Sequence, residues 1–215
     1  MTIAASVPIN RAASTLLDPA HVAWSAAELL DYLNAAQRAV VQLKADAYTK
    51  IAAIPLVAGV DQVLPSDGLS VINLYRNTVS KRVVKQVGFE SMNSWATDWA
   101  AETPRADAYE WMADQRQPMR FQVYPPNDGT GSLTGVYGAM CPVLASSADN
   151  IGLPDSYEPA LYNGILHFAY AKNSRRQDLQ KSAAALQAMI AMVTGKTATI
   201  KLNAPDLKQV EQGQS

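Results

Sequence analysis

A chain of 215 residues is long enough for one domain with a sizeable core. With 48% apolar residues and a formal net charge of −1, it excludes a disordered chain and a free-standing nucleic-acid binder held by phosphate neutralisation. The single cysteine, Cys141, excludes an intrachain disulfide and a thiolate metal cluster, which fits a reducing compartment.

Met1 to Asn10 lack the basic start and long apolar run of a signal peptide. No stretch reaches the roughly 20 apolar residues that span a bilayer, so a soluble protein made in the cytoplasm, with no membrane contact, is expected. A short helix is predicted over about residues 10–17, stopping before Pro19. Ser25 with Glu28 reads as a capping box opening a helix to about Ala45, with Leu29, Leu33, Ala36, Val40 and Leu43 on one apolar stripe.

The period then changes. Lys50 to Val57 and Val60 to Leu64 are short and rich in branched residues, and Pro55 marks the first as an edge or bulged strand. Pro65-Ser66-Asp67-Gly68 is a turn in which glycine is expected to supply a positive φ. Val71 to Arg76 and Arg82 to Val87 look like a pair joined through Asn77, and Phe89 to Trp99 reads as a short helix with two tryptophans on one side.

Cleaner alternation follows in Ala108–Ala113, Met119–Val123 and Ser132–Met140, predicting an antiparallel meander with one buried face. Between the last two lies "YPPNDGTG", read as a hairpin turn. Asp155 opens a long helical region, with one stripe of Leu161, Ile165 and Phe168 and a second of Leu179, Ala183, Leu186, Ile190 and Val193. Asn173-Ser174 marks a turn between two antiparallel helices, and Gly195 a helix stop before an extended tail.

Motifs for chemistry fail one by one. Thr194-Gly195-Lys196-Thr197 ends like a P-loop, but Ile190 stands where its first glycine belongs and a helix precedes it. Glycines 129, 131, 135 and 138 miss the dinucleotide fingerprint at Thr134 and lie between two strands. His21 and His167 form no metal-ligand spacing, and Cys141 has no candidate base nearby in sequence. Asp98 with Glu102 reads as a solvated acidic face, while Trp95, Trp99 and Trp111 are better core or interface residues than a sugar platform. Two basic runs, Arg76–Lys85 and Lys172–Lys181, lack the aromatic interleaving of a single-strand binder. No catalytic, cofactor or metal residues are assigned, and the chain is not read as an enzyme.

The order of segments is itself informative. "WSAAELLDYLNAAQRAVVQLKADAY", "LPSDG", "VINLYRN", "FQVYPPNDGTGSLTGVYGAMCP" and "LPDSYEPALYNGILHFAYAKN", in that series, resemble the head-to-tail adaptor (connector) proteins of tailed bacteriophages over Trp24 to Val193. The resemblance implies a virion structural protein. Copies would form a ring, commonly dodecameric, that joins the portal protein to a tail tube or nozzle protein and surrounds the channel for double-stranded DNA, without sequence specificity.

The expected fold is α+β: a helical bundle from N-terminal and C-terminal helices with an inserted antiparallel β-meander, about 48–141. Residues 1–195 would form the adaptor domain and 196–215 an extended C-terminal tail. That tail would reach the portal through Lys196, Thr197, Ile200, Leu202 and Leu207. A hairpin tip at Asn127, Asp128, Gly129, Thr130 and Gly131 would meet the next tail component. The alternatives are a tail completion or terminator protein, a carbohydrate-binding tail component built on the tryptophans, and an enzyme assembled from scattered residues.

Overall fold

A computed structural model describes residues 3–114 and 116–203, with 196–203 by backbone alone. In chain order the elements are α1 (Ser6–Thr15), α2 (Ala26–Leu43), β1 (Thr49–Pro55), β2 (Gly59–Val63), β3 (Gly68–Asn77), β4 (Lys85–Gln86), α3 (Phe89–Trp95), β5 (Glu110–Ala113), β6 (Arg120–Asn127), β7 (Ser132–Ala139), α4 (Glu158–Ala171) and α5 (Leu179–Asn203). The class is α+β. The chain divides into two compact units, Met1–Lys44 with Val143–Ser215, and Ala45–Pro142.

In the helical unit α4 packs on α1, α2 and α5. α1 starts earlier than expected and ends in a Schellman motif. There the Leu17 N–H bonds the Ser14 carbonyl at 3.2 Å and the Asp18 N–H bonds that of Ala13 at 2.9 Å. Ser25 caps α2, its hydroxyl accepting from the Glu28 N–H at 3.2 Å. The Glu28 carboxylate does not close the box; it accepts from Tyr32 and Lys172 instead. Leu29, Leu33, Ala36 and Val40 are buried as the stripe predicts, whereas Leu43 is exposed.

α4 and α5 run antiparallel about the bend at Asn173-Ser174, with His167 against Ser182 and Asn163 against Met192. Gly164 sits at the closest approach: an added Cβ would lie 2.5 Å from Ala36 Cβ and 3.1 Å from Met189 Sδ. The buried stripe of α5 is Ser182, Ala185, Met189 and Val193, rotated from the predicted one; Leu179 and Ile190 face outward. Apolarity alone misplaced the face, because Ser182 turns inward to donate to the His167 carbonyl at 3.0 Å.

Two further expectations fail at the end of α5. Gly195 does not stop the helix, and residues 196–203 are helical rather than extended. An interior glycine costs a helix only about 1 kcal/mol, which the Ala-, Leu- and Met-rich turns before it outweigh.

The β unit holds two sheets, ordered β1-β7-β3 and β2-β6-β5-β4, antiparallel except for β4 with β5. Ile54, Leu74, Trp111, Phe121, Leu133 and Tyr137 belong to one core drawn from both sheets. β1 is an edge strand, as Pro55 predicts, and β5 pairs with β6. The meander stops there. β7 leaves β6 and inserts between β1 and β3, so the glycine-rich segment is a corner between sheets and not a hairpin.

The expected Asn77 pair shrinks to an Arg76–Val83 bridge, after which Lys85 and Gln86 turn to β5. The 65–68 turn forms, with the Gly68 N–H bonding the Pro65 carbonyl at 2.8 Å, but Gly68 does not adopt a positive φ. It is needed for space: a Cβ would lie 2.7 Å from Leu64 Cβ. The 89–99 segment splits into α3 and a 3-10 turn at Trp99–Ala101, which separates the two tryptophans.

Candidate interaction surfaces

The corner between β6 and β7 is built by one side chain. Pro125 and Pro126 have no N–H to donate, so β6 cannot run a full ladder into a returning strand. Asn127, 1% exposed, takes over. Its Nδ2 donates to the carbonyls of Arg105 and Ala106 at 3.0 and 2.9 Å, while Oδ1 accepts from the N–H groups of Gly129 and Gly131 at 2.9 and 3.3 Å. Gly129 has a φ of 90°, the left-handed region that glycine enters without strain. Any side chain at 131 would fall on the Ala106 carbonyl oxygen.

Asp128, Gly129 and Thr130 are exposed at the tip. The Thr130 hydroxyl and N–H both bond the Asp128 carboxylate, at 2.6 and 2.9 Å, and hold its carboxyl below the ordinary range. Thr130, Gly131, Ala106, Val79 and Ser80 line a surface hollow of about 250 Å³. The tip is therefore a preorganised polar loop beside a hollow. Asn127, expected as an exposed contact at the tip, is instead its buried anchor, because its amide is spent on backbone groups within the corner.

Of the residues expected at the portal, Lys196, Thr197, Ile200 and Leu202 fall on the last turns of α5. Leu207 lies outside the described residues.

The other sequence features separate in space. Trp111 is 1% exposed in the β core, and Trp99 is 9% exposed with its indole N–H donating to Asn93 at 2.9 Å. Trp95, 54% exposed, stands edge-on to Tyr124 at 5.4 Å. Three tryptophans thus make no shared platform. Asp98 and Glu102 flank the 3-10 turn, and Glu102 accepts from the Tyr124 hydroxyl at 2.8 Å. Burial pushes the Cys141 thiol up to about 11, away from a thiolate nucleophile.

The first basic run gathers an aromatic that the sequence order hid. The Arg82 guanidinium stacks 3.8 Å over the Tyr109 ring, and Arg105 donates to the Tyr109 hydroxyl at 2.8 Å. The second run is absorbed by the helical unit: Lys172 pairs with Glu28 at 2.8 Å, Lys181 with Asp178 at 3.1 Å, and Arg176 lies over Trp24.

A family model described as SU10 adaptor protein matches residues 5–206. The chain belongs to this family of phage adaptor proteins. No curated protein matches the chain significantly. The match extends beyond the motifs that carried the resemblance at both ends, taking in α1 and all of α5. Membership of the family implies interaction with other phage head and tail components. Among the described residues no group of His, Cys, Asp and Glu could hold a metal ion, and no helix is long and apolar enough to cross a membrane.

Proposed function

We propose that this adaptor forms a homo-oligomeric ring in the virion that joins the portal to the tail tube or nozzle and surrounds the DNA channel. The observation that carries the reading is the family match over nearly the whole chain. A ring needs two different surfaces on each copy, because a heterologous contact sets one patch against another. The chain offers distinct surfaces in a helical unit and in a β unit whose sheets have different edge strands.

In this reading the end of α5, from Lys196 to Leu202 with Leu207 beyond it, contacts the portal. The tip from Asp128 to Gly131, held by the buried Asn127, meets the next tail protein. A net charge of −1 suits a channel wall that must not grip passing DNA, since phosphate neutralisation by a strongly basic lumen would retard it.

Order of binding tests the proposal. Purified adaptor is mixed with isolated portal and, separately, with the isolated tail-tube or nozzle protein. Binding to portal in the absence of any tail protein is expected. Binding that requires a finished tail would support a terminator instead, and retention on immobilised glycans that is lost in Trp95→Ala would support a carbohydrate-binding component.

A further inference from the structure

Among the described residues the two sheets of the β unit each leave one edge strand without a partner, and the two edges match. In β1 the hydrogen-bonding direction follows from its flanks. Tyr48 accepts from the Ala139 N–H and the Leu56 N–H reaches the Gly131 carbonyl, both at 2.9 Å, in the same register that pairs Lys50 with Tyr137. Even-numbered residues therefore bond β7, and the N–H and C=O groups of Thr49, Ile51 and Ala53 point away from it. The ladder is regular over all of Thr49–Pro55, with no bulge to blunt the edge. Ile51 on this strand is 72% exposed. The far edge of the same sheet is already covered: β3 receives the Val84 N–H at the Tyr75 carbonyl and gives its Asn77 N–H to Arg82.

The same parity applies to β2. The Leu64 N–H bonds the Met119 carbonyl at 3.0 Å, in register with Gln62 opposite Phe121, so Asp61 and Val63 point their backbone groups outward. Val63 is 51% exposed. Within one chain these edges do not pair with each other: β1 pairs with β7 and β2 with β6. The Gln62 side chain holds the link between them, accepting from the Val57 N–H and donating to the Val57 and Gly59 carbonyls.

We infer that β1 of one copy pairs antiparallel with β2 of the next, Ile51 opposite Val63 and Ala53 opposite Asp61, as the head-to-tail contact between copies. This inference rests on the ring reading above and names the surface that closes it. Each of the two opposed pairs exchanges both backbone bonds. The pairing sets Ile51 beside Val63 on the exposed face, which accounts for two large apolar side chains left in water on open edges. On the opposite face Ala52 lies against Gln62 and Ile54 against Val60, so the inward-facing sides of the two copies run together. The contact is heterologous, since one edge belongs to each sheet, and it propagates from copy to copy instead of closing at two.

Cross-linking on isolated portal tests it. Ile51→Cys and Val63→Cys are made separately in a Cys141→Ala background, with melting curves to show that each folds. Opposed residues in such a pair lie about 5.5 Å apart at Cα, inside the range that a disulfide spans. Mild oxidation should give linked dimers from the mixture and none from either variant alone. Dimers from Ile51→Cys alone would show a two-fold β1 pairing and overturn the inference. A ring that forms on portal without cross-linking in the mixture would overturn it while leaving the ring reading intact; absence of any ring would sink both.

Ala53→Pro supplies an independent check. Its lost N–H faces outward, so the β1–β7 ladder keeps its bonds, and the assembled fraction should drop about tenfold with little change in melting. Ala52→Pro, whose N–H lies in the ladder, should unfold the sheet. Undiminished assembly by a folded Ala53→Pro protein would contradict the pairing.

Discussion

The helical unit and the β unit satisfy their polar groups by different means. In the helical unit charged side chains do much of the work: Arg11 pairs with Glu158 at 2.9 Å, Lys172 with Glu28, and the Asp18 carboxylate gathers the N–H groups of Val22, Ala23 and Trp24, each at 2.9 Å. In the β unit three of the four places where the chain changes sheet are held by buried neutral amides. Asn77 bonds the Ala108 N–H and carbonyl, Gln62 bridges the β1–β2 link, and Asn127 builds the corner. A neutral amide carries both donor and acceptor into a site that water cannot reach without the desolvation cost of a charge. Strand β7 must also find β1 and β3 across much of the unit's length, whereas helices form their own bonds locally. The helical unit has a comparable amide, Asn34, which bonds the Leu144 N–H and carbonyl at 2.9 and 3.0 Å, and the β unit has an ion pair, Lys50 with Asp67. The difference is therefore one of balance: the β unit leans more on buried amides and the helical unit more on charges.

The largest effect should come from the β core. Trp111→Ala removes a fully buried indole and should cost about 3–5 kcal/mol. Hydrogen exchange should show lost protection across residues 45–142 with the helices of the other unit retained; equal loss in both would erase the contrast. Asn127→Ala should cost about 1–3 kcal/mol, because it strands the Gly129 and Gly131 amides and two carbonyls at once. Chemical denaturation measures this directly, and a neutral result would mean that the corner holds without its amide.

In the helical unit the pH dependence sharpens the comparison. The Asp18 carboxyl is held low, first by the Trp24 N–H, then by those of Val22 and Ala23 and by the nearby Arg176 charge, against the opposing effect of burial. A depressed carboxyl contributes stability that is fully present above the ordinary value of about 3.9 and is lost as pH falls through the lower folded value. Asp18→Asn should therefore lower the melting temperature at pH 7, and the gap should narrow as the pH falls below about 4. A gap that persists unchanged in acid would assign the role to shape alone.

The smallest effect is a gain. Leu17 holds a φ of 53° at the position where a Schellman motif favours glycine. Leu17→Gly should add about 0.5 kcal/mol, the relief of left-handed strain exceeding the entropy cost of glycine. A loss on thermal melting would mean that the exposed leucine makes contacts that matter.

Helix α2 was legible because its cap and its stripe are local signals: Ser25, Leu29, Leu33, Ala36 and Val40 all do what their spacing implies. The strands were legible as strands, since alternation sets which side chains face inward, as with Phe121, Val123 and Leu133. Their partners were not. Nothing local in Ser132–Ala139 says that it will join Thr49–Pro55, and a glycine-rich link between two alternating runs looks the same whether it closes a hairpin or crosses between sheets. The face of α5 was misread because a serine, not an apolar residue, makes the inward contact at 182. The candidate tip was found from its turn residues, but Tyr109 between Arg82 and Arg105 is a product of tertiary folding.

The central claim is that copies of this adaptor assemble on the portal into a ring. Mass measurement with negative-stain imaging, on the protein alone and mixed with isolated portal, tests it most directly. The account predicts a single ring of adaptor copies on each portal, whether or not the free protein is a monomer. A chain that stays monomeric and ignores portal at every ratio would contradict it.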